Sequence, residues 1–325
     1  MSHNLFDLER FEAARARIAG SVHRTPLVHS RTLSDRVGAP VYLKCENLQK
    51  TGAFKVRGAL HRLLRLTPDE RDRGVSTISA GNHAQAVAWA ATAAGVSSLV
   101  VMPENASPTK VRAAREYGAE VILHGDAAAA FRRVAEISEE RKLTFVHPFD
   151  DEEVVAGHGS CGLEIVEDLP DVGTIVVPVG GGGLSSAIAA ATHAARPGIS
   201  VWGVEPHGAD AMRQSLEAGR ALHLDAVSTI ADGLGAPMAG VLNHALLAEF
   251  ARGVVCVDDA EIIAALRLLL ERTKLLVETA GAAGLAALLA GRIPLEGEAP
   301  VVVVLSGGNA DLDQLAGFLG PRDGS

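Results

Sequence analysis

The residue best placed for covalent chemistry in this 325-residue chain is Lys55, in the run E-N-L-Q-K-T-G-A-F-K-V-R-G over residues 46–58. Glycines at 52 and 58 bracket it and Phe54 precedes it, so its ammonium should emerge near the main chain beside an aromatic face. Partial loss of water there lowers an amine pKa, and such an amine can form a Schiff base. A lone Phe-Lys pair would carry little weight, because most lysines are solvated surface groups. Three further segments mix small residues with hydrogen-bonding groups: S-A-G-N-H-A-Q at 79–85, V-G-G-G-G-L-S-S at 179–186 and L-S-G-G-N at 305–309.

Each of these three follows a short apolar or β-branched run, at 75–78, 174–179 and 301–305, and the first two lead into Ala-rich, helix-like stretches. A strand, a Gly-rich turn and a helix start in that order turn backbone N–H groups toward an anion. The glycines at 180–183 with Leu184 can therefore cup one phosphate. Two other readings stay open for this segment. One is a turn without ligand. The other is a dinucleotide fold with Glu205 on a ribose, but Gly180 and Gly182 would then require a third glycine where Ser185 stands. On their own, Ser306 reads equally as a strand-end hydroxyl capping its turn and His83 as a capping or packing histidine.

These loops need a large, regular scaffold, and the composition supplies one. A hydrophobic content of 48% over 325 residues supports one large or two medium domains. Apolar strands alternate with Ala-rich helices: 75–78 then 84–94, 98–102 then 109–117, 120–123 then 127–142, 174–179 then 184–195, and last the strands 200–204 and 301–305. That alternation predicts an α/β chain with parallel sheets covered by helices. Residues 6–18 are expected to form a surface helix ahead of the core. The uncharged stretch 84–102 has the length of a membrane span, but its Ala, Ser and Thr content and central Gly95 predict a helix, a turn and a buried strand. A formal net charge of -9 argues against nucleic acid as a partner. No signal peptide is expected from the charged N-terminus, and a cytoplasmic location follows. Cys45, Cys161 and Cys256 stand at no metal spacing and read as buried, reduced thiols.

Taken together and in order, the four segments resemble the pyridoxal-phosphate enzymes of the tryptophan-synthase-β type, fold type II, and specifically the serine/threonine dehydratase and serine racemase branch. The resemblance runs from R-T-P-L at 24–27 to L-S-G-G-N at 305–309. It implies a two-domain α/β fold with the cofactor, pyridoxal 5'-phosphate, in the cleft between the domains. Residues 73–150 would form a small substrate-loop domain, inserted into a large cofactor-binding domain made of 1–72 and 151–325. It further implies that Lys55 is the catalytic amine and that Phe54, Asn82, Gly180, Gly181, Gly182, Gly183, Leu184 and Ser306 bind the cofactor. Ser79, Ala80, Gly81, Asn82 and His83 would form the substrate loop, with His83 as loop support. Pro148, Phe149 and the stretch 232–235 would line the side-chain pocket. A hydroxyl such as Ser306 against the pyridine nitrogen leaves that nitrogen unprotonated, which favours β-elimination over transamination.

The activity implied is dehydration and deamination of a small L-3-hydroxy amino acid, L-threonine or L-serine, to a 2-oxo acid and ammonia. A dehydratase for bulkier substrates such as phenylserine or hydroxyaspartate, a β-replacing enzyme and a serine or aspartate racemase remain alternatives. Racemase members carry a second serine where this chain has Ala80, so one-face elimination is expected here. A noncatalytic pyridoxal-phosphate- or amino-acid-binding protein would be expected to lack the cofactor residues, and all are present. A dinucleotide oxidoreductase would leave Lys55 and Ser306 without a task. The chain departs from the family at A-G-H-G-S, where His158 replaces a glutamine. It departs again at the racemase cation site: Glu205 and the carbonyl of Ala209 match, but Ala211 replaces the carboxylate, which weakens a mono- or divalent cation site. A homodimer or homotetramer is expected from the Ala-rich helices, and little chain is left after 309 for a regulatory domain.

Overall fold

The computed structural model describes residues 6–295 and 297–320. Two sheets organise it. The first part of the chain gives α1 (Leu8–Ile18), β1 (Leu27–His29), α2 (Arg31–Val37), β2 (Val41–Lys44), α3 (Lys55–Leu64) and α4 (Pro68–Arg73). The middle gives β3 (Val75–Ile78), α5 (Asn82–Ala94), β4 (Ser98–Met102), α6 (Pro108–Glu116), β5 (Glu120–Leu123), α7 (Ala127–Arg141) and β6 (Thr144–Phe145). There follow α8 (Glu152–Asp168), β7 (Thr174–Pro178), α9 (Gly183–Ala195), β8 (Ser200–Pro206), α10 (Ala211–Ala218) and α11 (Val241–Phe250). The chain closes with β9 (Gly253–Val257), α12 (Asp259–Thr273), α13 (Thr279–Leu289), β10 (Val301–Val304) and α14 (Leu312–Leu319).

The larger sheet has the order β1-β2-β10-β7-β8-β9 and the smaller β5-β4-β3-β6. Every pairing is parallel except β1 against β2. A parallel sheet is buried on both faces, and side chains alternate between them. In β10, Val301 and Val303 join the core built with α12 and α13, whereas Val302 and Val304 face the opposite core. In β4, Val100 and Met102 pack toward α5 and α6, and Leu99 and Val101 toward α7.

The stretch tested as a membrane span resolves into α5, a left-handed turn at Gly95 and buried β4. Among the described residues no helix is long and apolar enough to cross a membrane. The three cysteines are free and buried. The N-terminal helix departs from expectation. It starts at Leu8 behind an Asp7 cap, and it is not a surface appendage, because Phe11, Ala14 and Ile18 are buried. Phe11 presses on Gly159 of α8.

Parallel strands bring successive loops to the same end of a sheet. The loops after β2, β7 and β10 of the large sheet and after β3 and β4 of the small one all open on one cavity.

Candidate active site

That cavity has a volume of about 600 Å³. Its first wall is the segment from β2 to α3, joined to the segment after β10 by main-chain bonds: Asn47 N–H to Leu305 O at 3.0 Å, Phe54 N–H to Ser306 O at 3.1 Å and Gly308 N–H to Gly52 O at 2.8 Å. Residues some 250 positions apart in sequence, Lys55 and Ser306, thereby face the same space.

Lys55 is the first residue of α3 and is half-buried. Its Nζ donates to Pro148 O at 2.7 Å and stands 5.0 Å from the centre of the Phe54 ring. Burial lowers its pKa to about 8, against the opposing pull of Glu278. A fraction of free amine near neutrality is what an imine-forming lysine requires.

Opposite lies the glycine turn. Gly182 sits at φ +95, a left-handed value that disfavours any side chain. The turn ends in the 13-residue helix α9, so its first N–H groups have no partner within the helix and its positive end faces the cavity. Gly180, Gly181, Gly182, Gly183 and Leu184 all line the space. The Gly181 carbonyl is turned aside, accepting from Gly240 N–H and Asn243 Nδ2.

The third wall is the loop after β3. Ser79, Ala80, Gly81, Asn82 and His83 border the cavity, with Gly81 N–H donating to Ser79 Oγ at 3.0 Å. Asn82 Nδ2 donates to Glu278 Oε1 at 2.7 Å, and Asn82 Oδ1 accepts from Asn309 Nδ2 at 2.8 Å. One Asn82 N–H is left over, since the amide carries two. His83 is 3% exposed, and burial holds its pKa well below the usual value. Its Nε2 lies 3.3 Å from Val146 O. Pro148, Phe149 and 232–235 also border the cavity.

Sequence reasoning missed Glu278, which immediately precedes α13, accepts from Asn82 and has its carboxyl pKa raised by burial. Its neighbours V-E-T-A carry no glycine pattern, and nothing local marks it out. Also missed was Lys110, which lines the mouth and pairs with Asp232 at 3.8 Å.

Glu205 does not join this group. Its two carboxylate oxygens accept the N–H groups of Met212 and Arg213, each at 2.9 Å, and so cap α10. Asp210 is held by Arg213 and Gln214, and Ala209 is 1% exposed. Among the described residues no three His, Cys, Asp or Glu side chains are placed to hold a metal ion. The ribose-binding role considered for Glu205 finds no support in this geometry.

Residues 18–307 match the family described as Pyridoxal-phosphate dependent enzyme. The chain belongs to that family. It is 46% identical over 307 residues to an L-threonine ammonia-lyase of Geobacter sulfurreducens, covering 94% of this chain and 76% of the relative. It is 40% identical over 311 residues to the catabolic L-threonine dehydratase of Escherichia coli K12, covering 94% of each. The structure of maize serine racemase superposes with a TM-score of 0.92 at 37% identity, covering 96% of each chain. The fold is that of the fold type II enzymes.

The cavity suits the cofactor of this family. A half-buried amine, a helix start free to take an anion, a Ser306 hydroxyl and a spare Asn82 N–H answer in turn to an aldehyde, a phosphate, a pyridine nitrogen and a phenolic oxygen.

Proposed function

We propose that the chain is an ammonia-lyase that takes a small L-3-hydroxy amino acid, L-threonine or L-serine, to a 2-oxo acid and ammonia. The observation that carries this reading is Lys55: a half-buried amine, lowered to about 8, facing the same cavity as a phosphate-binding turn and Ser306. In this reading Gly180, Gly181, Gly182, Gly183 and Leu184 hold the phosphate, Phe54 flanks the amine, and Asn82 and Ser306 hold the ring. The loop N–H groups from Ser79 to His83 grip the substrate carboxylate. Bound pyridoxal phosphate supplies a sink for the electrons left when the Cα proton departs.

The remaining work falls to the chain. Lys55 Nζ takes the Cα proton, a role suited to an amine whose pKa lies near the working pH. The β-hydroxyl leaves as water, and the product enamine hydrolyses to the 2-oxo acid and ammonia. Likeness to a serine racemase supports a second reading, racemisation. Ala80 weighs against it, since a methyl group cannot return a proton on the face opposite Lys55.

We read residues 73–150 as the smaller domain, which β3 to β6 support by forming a sheet of their own. A cytoplasmic homodimer or homotetramer is the assembly proposed; exposed Leu48, Val241 and Leu312 support a covered surface. A cation at Glu205 and Ala209 is the least supported element, because Glu205 already serves α10.

The test is to incubate the cofactor-loaded protein with L-threonine, L-serine, L-threo-phenylserine and 3-hydroxyaspartate, and to quantify 2-oxo acid and ammonia. Equimolar release is expected, fastest from threonine or serine, and a chelator should change the rate by less than ~2-fold. No release from any substrate, with the absorbance of bound cofactor intact, would overturn the reading in favour of racemisation or β-replacement.

A further inference from the structure

The L-S-G-G-N segment ends on Asn309, which borders the cavity and has no role in the chemistry described so far. Its Nδ2 donates to Thr51 O at 2.7 Å and to Asn82 Oδ1 at 2.8 Å. The chain doubles back at Thr51, φ +55, and Gly52, φ +75, and a left-handed φ is uncommon for a β-branched residue. The other described non-glycine residues at positive φ, Lys142 and Lys274, are the caps that end α7 and α12. Thr51 instead lies in the turn that leads into Lys55, and there presents its carbonyl to Asn309.

Donor and acceptor roles along this chain of bonds are fixed from one end. A main-chain carbonyl can only accept, so Thr51 O must meet the NH2 group of Asn309 and not its Oδ1. The second N–H of that group then requires an acceptor at Asn82, which is Oδ1. Asn82 Nδ2 in turn donates to Glu278 Oε1 at 2.7 Å. With both N–H groups of Asn309 engaged, none remains for a ligand, and its Oδ1 lies against Gly52, where an added Cβ would collide with it. Asn82 differs, since its Oδ1 is occupied and one N–H is spare. Turned over, the Asn82 amide would set Oδ1 against the Glu278 oxygen and carry its N–H groups to the other side.

We infer that Asn309 is a positioning residue: anchored on Thr51 O, it fixes the polarity of the Asn82 amide and so keeps the spare Asn82 N–H, rather than Oδ1, available to the phenolic oxygen of the cofactor. This role rests on the assignment of Asn82 to the cofactor ring in the function proposed above. Glu278 serves as the terminal acceptor. Asn82 opens α5 beside the small sheet, while Thr51 and Asn309 follow strands of the large one, so the relay also ties the loops of the two sheets together.

The experiment compares Asn309→Asp and Asn309→Ala, each alone and combined with Asn82→Ala. It measures the dissociation constant for pyridoxal phosphate and the absorbance spectrum of the bound cofactor. Aspartate has nearly the shape of asparagine, but an ionised carboxylate cannot donate. It would face Thr51 O as one acceptor against another and draw the Asn82 N–H groups round toward itself. Asn309→Asp is therefore expected to displace the absorbance maximum and to weaken cofactor binding about 10- to 100-fold, the worth of a hydrogen bond to a charged oxygen. Asn309→Ala leaves Glu278 to orient Asn82 and should cost less, about fivefold. In the Asn82→Ala background each Asn309 substitution should change binding by less than about twofold. Should Asn309→Asp fail to fold, the same cycle with Asn309→Ala decides. A packing role would reverse the order, with Ala worse than Asp, and would overturn the inference. A loss that persists with Asn82→Ala would overturn it too, since Asn309 would then act without Asn82. All readouts are taken without an amino-acid substrate. Failure of the ammonia-lyase reading would appear separately, as a wild type that binds cofactor and exceeds these variants as stated yet releases no 2-oxo acid.

Discussion

Lys55 and Arg57 stand two residues apart at the start of one helix, yet their surroundings are opposite. Arg57 is 0% exposed and fully paired. Its Nε and Nη2 donate to Glu46 at 2.8 Å each, and Nη1 and Nη2 donate to Glu164 at 2.7 and 2.9 Å. Lys44, at 2.6 Å from Glu164, and Thr25 complete a network of two cations and two carboxylates. Lys55 looks the other way, into the cavity, with a backbone carbonyl as its hydrogen-bond acceptor and Glu278 acting through space. The matched network fixes the helix start. The under-matched side leaves an amine that gives up its proton easily, and one element can thus be both rigid and reactive.

The sharpest way to break the contrast is Lys55→Met, which should cut turnover by at least ~10³-fold and abolish the absorbance of the cofactor–lysine linkage. The same substitution should stabilise the cofactor-free protein. Lys55 deprotonates at about 8 in the fold but at 10.5 as an ordinary lysine. The unfolded chain binds more protons between these values, so the stability of wild type rises with pH across that window. Below pH 8 the full cost of charging Lys55 is present, and urea titration should find the Met variant more stable by about 1–3 kcal/mol. The difference should fade toward pH 10.5, and an equal or lower stability at pH 7 would refute the desolvation of Lys55.

On the paired side, Arg57→Met should do the reverse and destabilise the fold by about 3–5 kcal/mol, because Glu46 and Glu164 would be left buried against Lys44 alone. Adding Glu46→Gln should recover part of the loss in the same urea titration; no recovery would mean that charge pairing is not what Arg57 provides.

The smallest effect is expected from Glu278→Gln. Glu278 pulls the Lys55 pKa upward, so its removal should lower the midpoint of amine reactivity toward a small aldehyde by about 0.5 pH. A midpoint that rises would contradict the assigned sign.

Much of this molecule follows from local pattern. The glycine turn, the loop with Asn82 and the segment with Ser306 each sit after a strand, and strand periodicity with Ala-rich helices marked them out. The regular βα alternation likewise gave the strands β3 to β5, β7, β8 and β10, with ends displaced by a residue or two. Such features depend on neighbours along the chain, where hydrophobic period and turn chemistry are legible. What stayed hidden depends on contacts between distant elements. The helix expected on the surface buries Phe11 because α8 offers Gly159 to receive it. Glu278 enters the site only because α13 starts beside the loop after β3.

By itself, then, the sequence determined the chemistry within reach: which loops could hold an anion, and which amine could react. Tertiary structure decided how these charges are matched: the loss of water expected at Lys55 is opposed by Glu278 across the cavity, while Arg57, two residues on, is buried between Glu46 and Glu164. The physical reason is that burial and pairing are properties of a three-dimensional neighbourhood, set by elements from all parts of the chain.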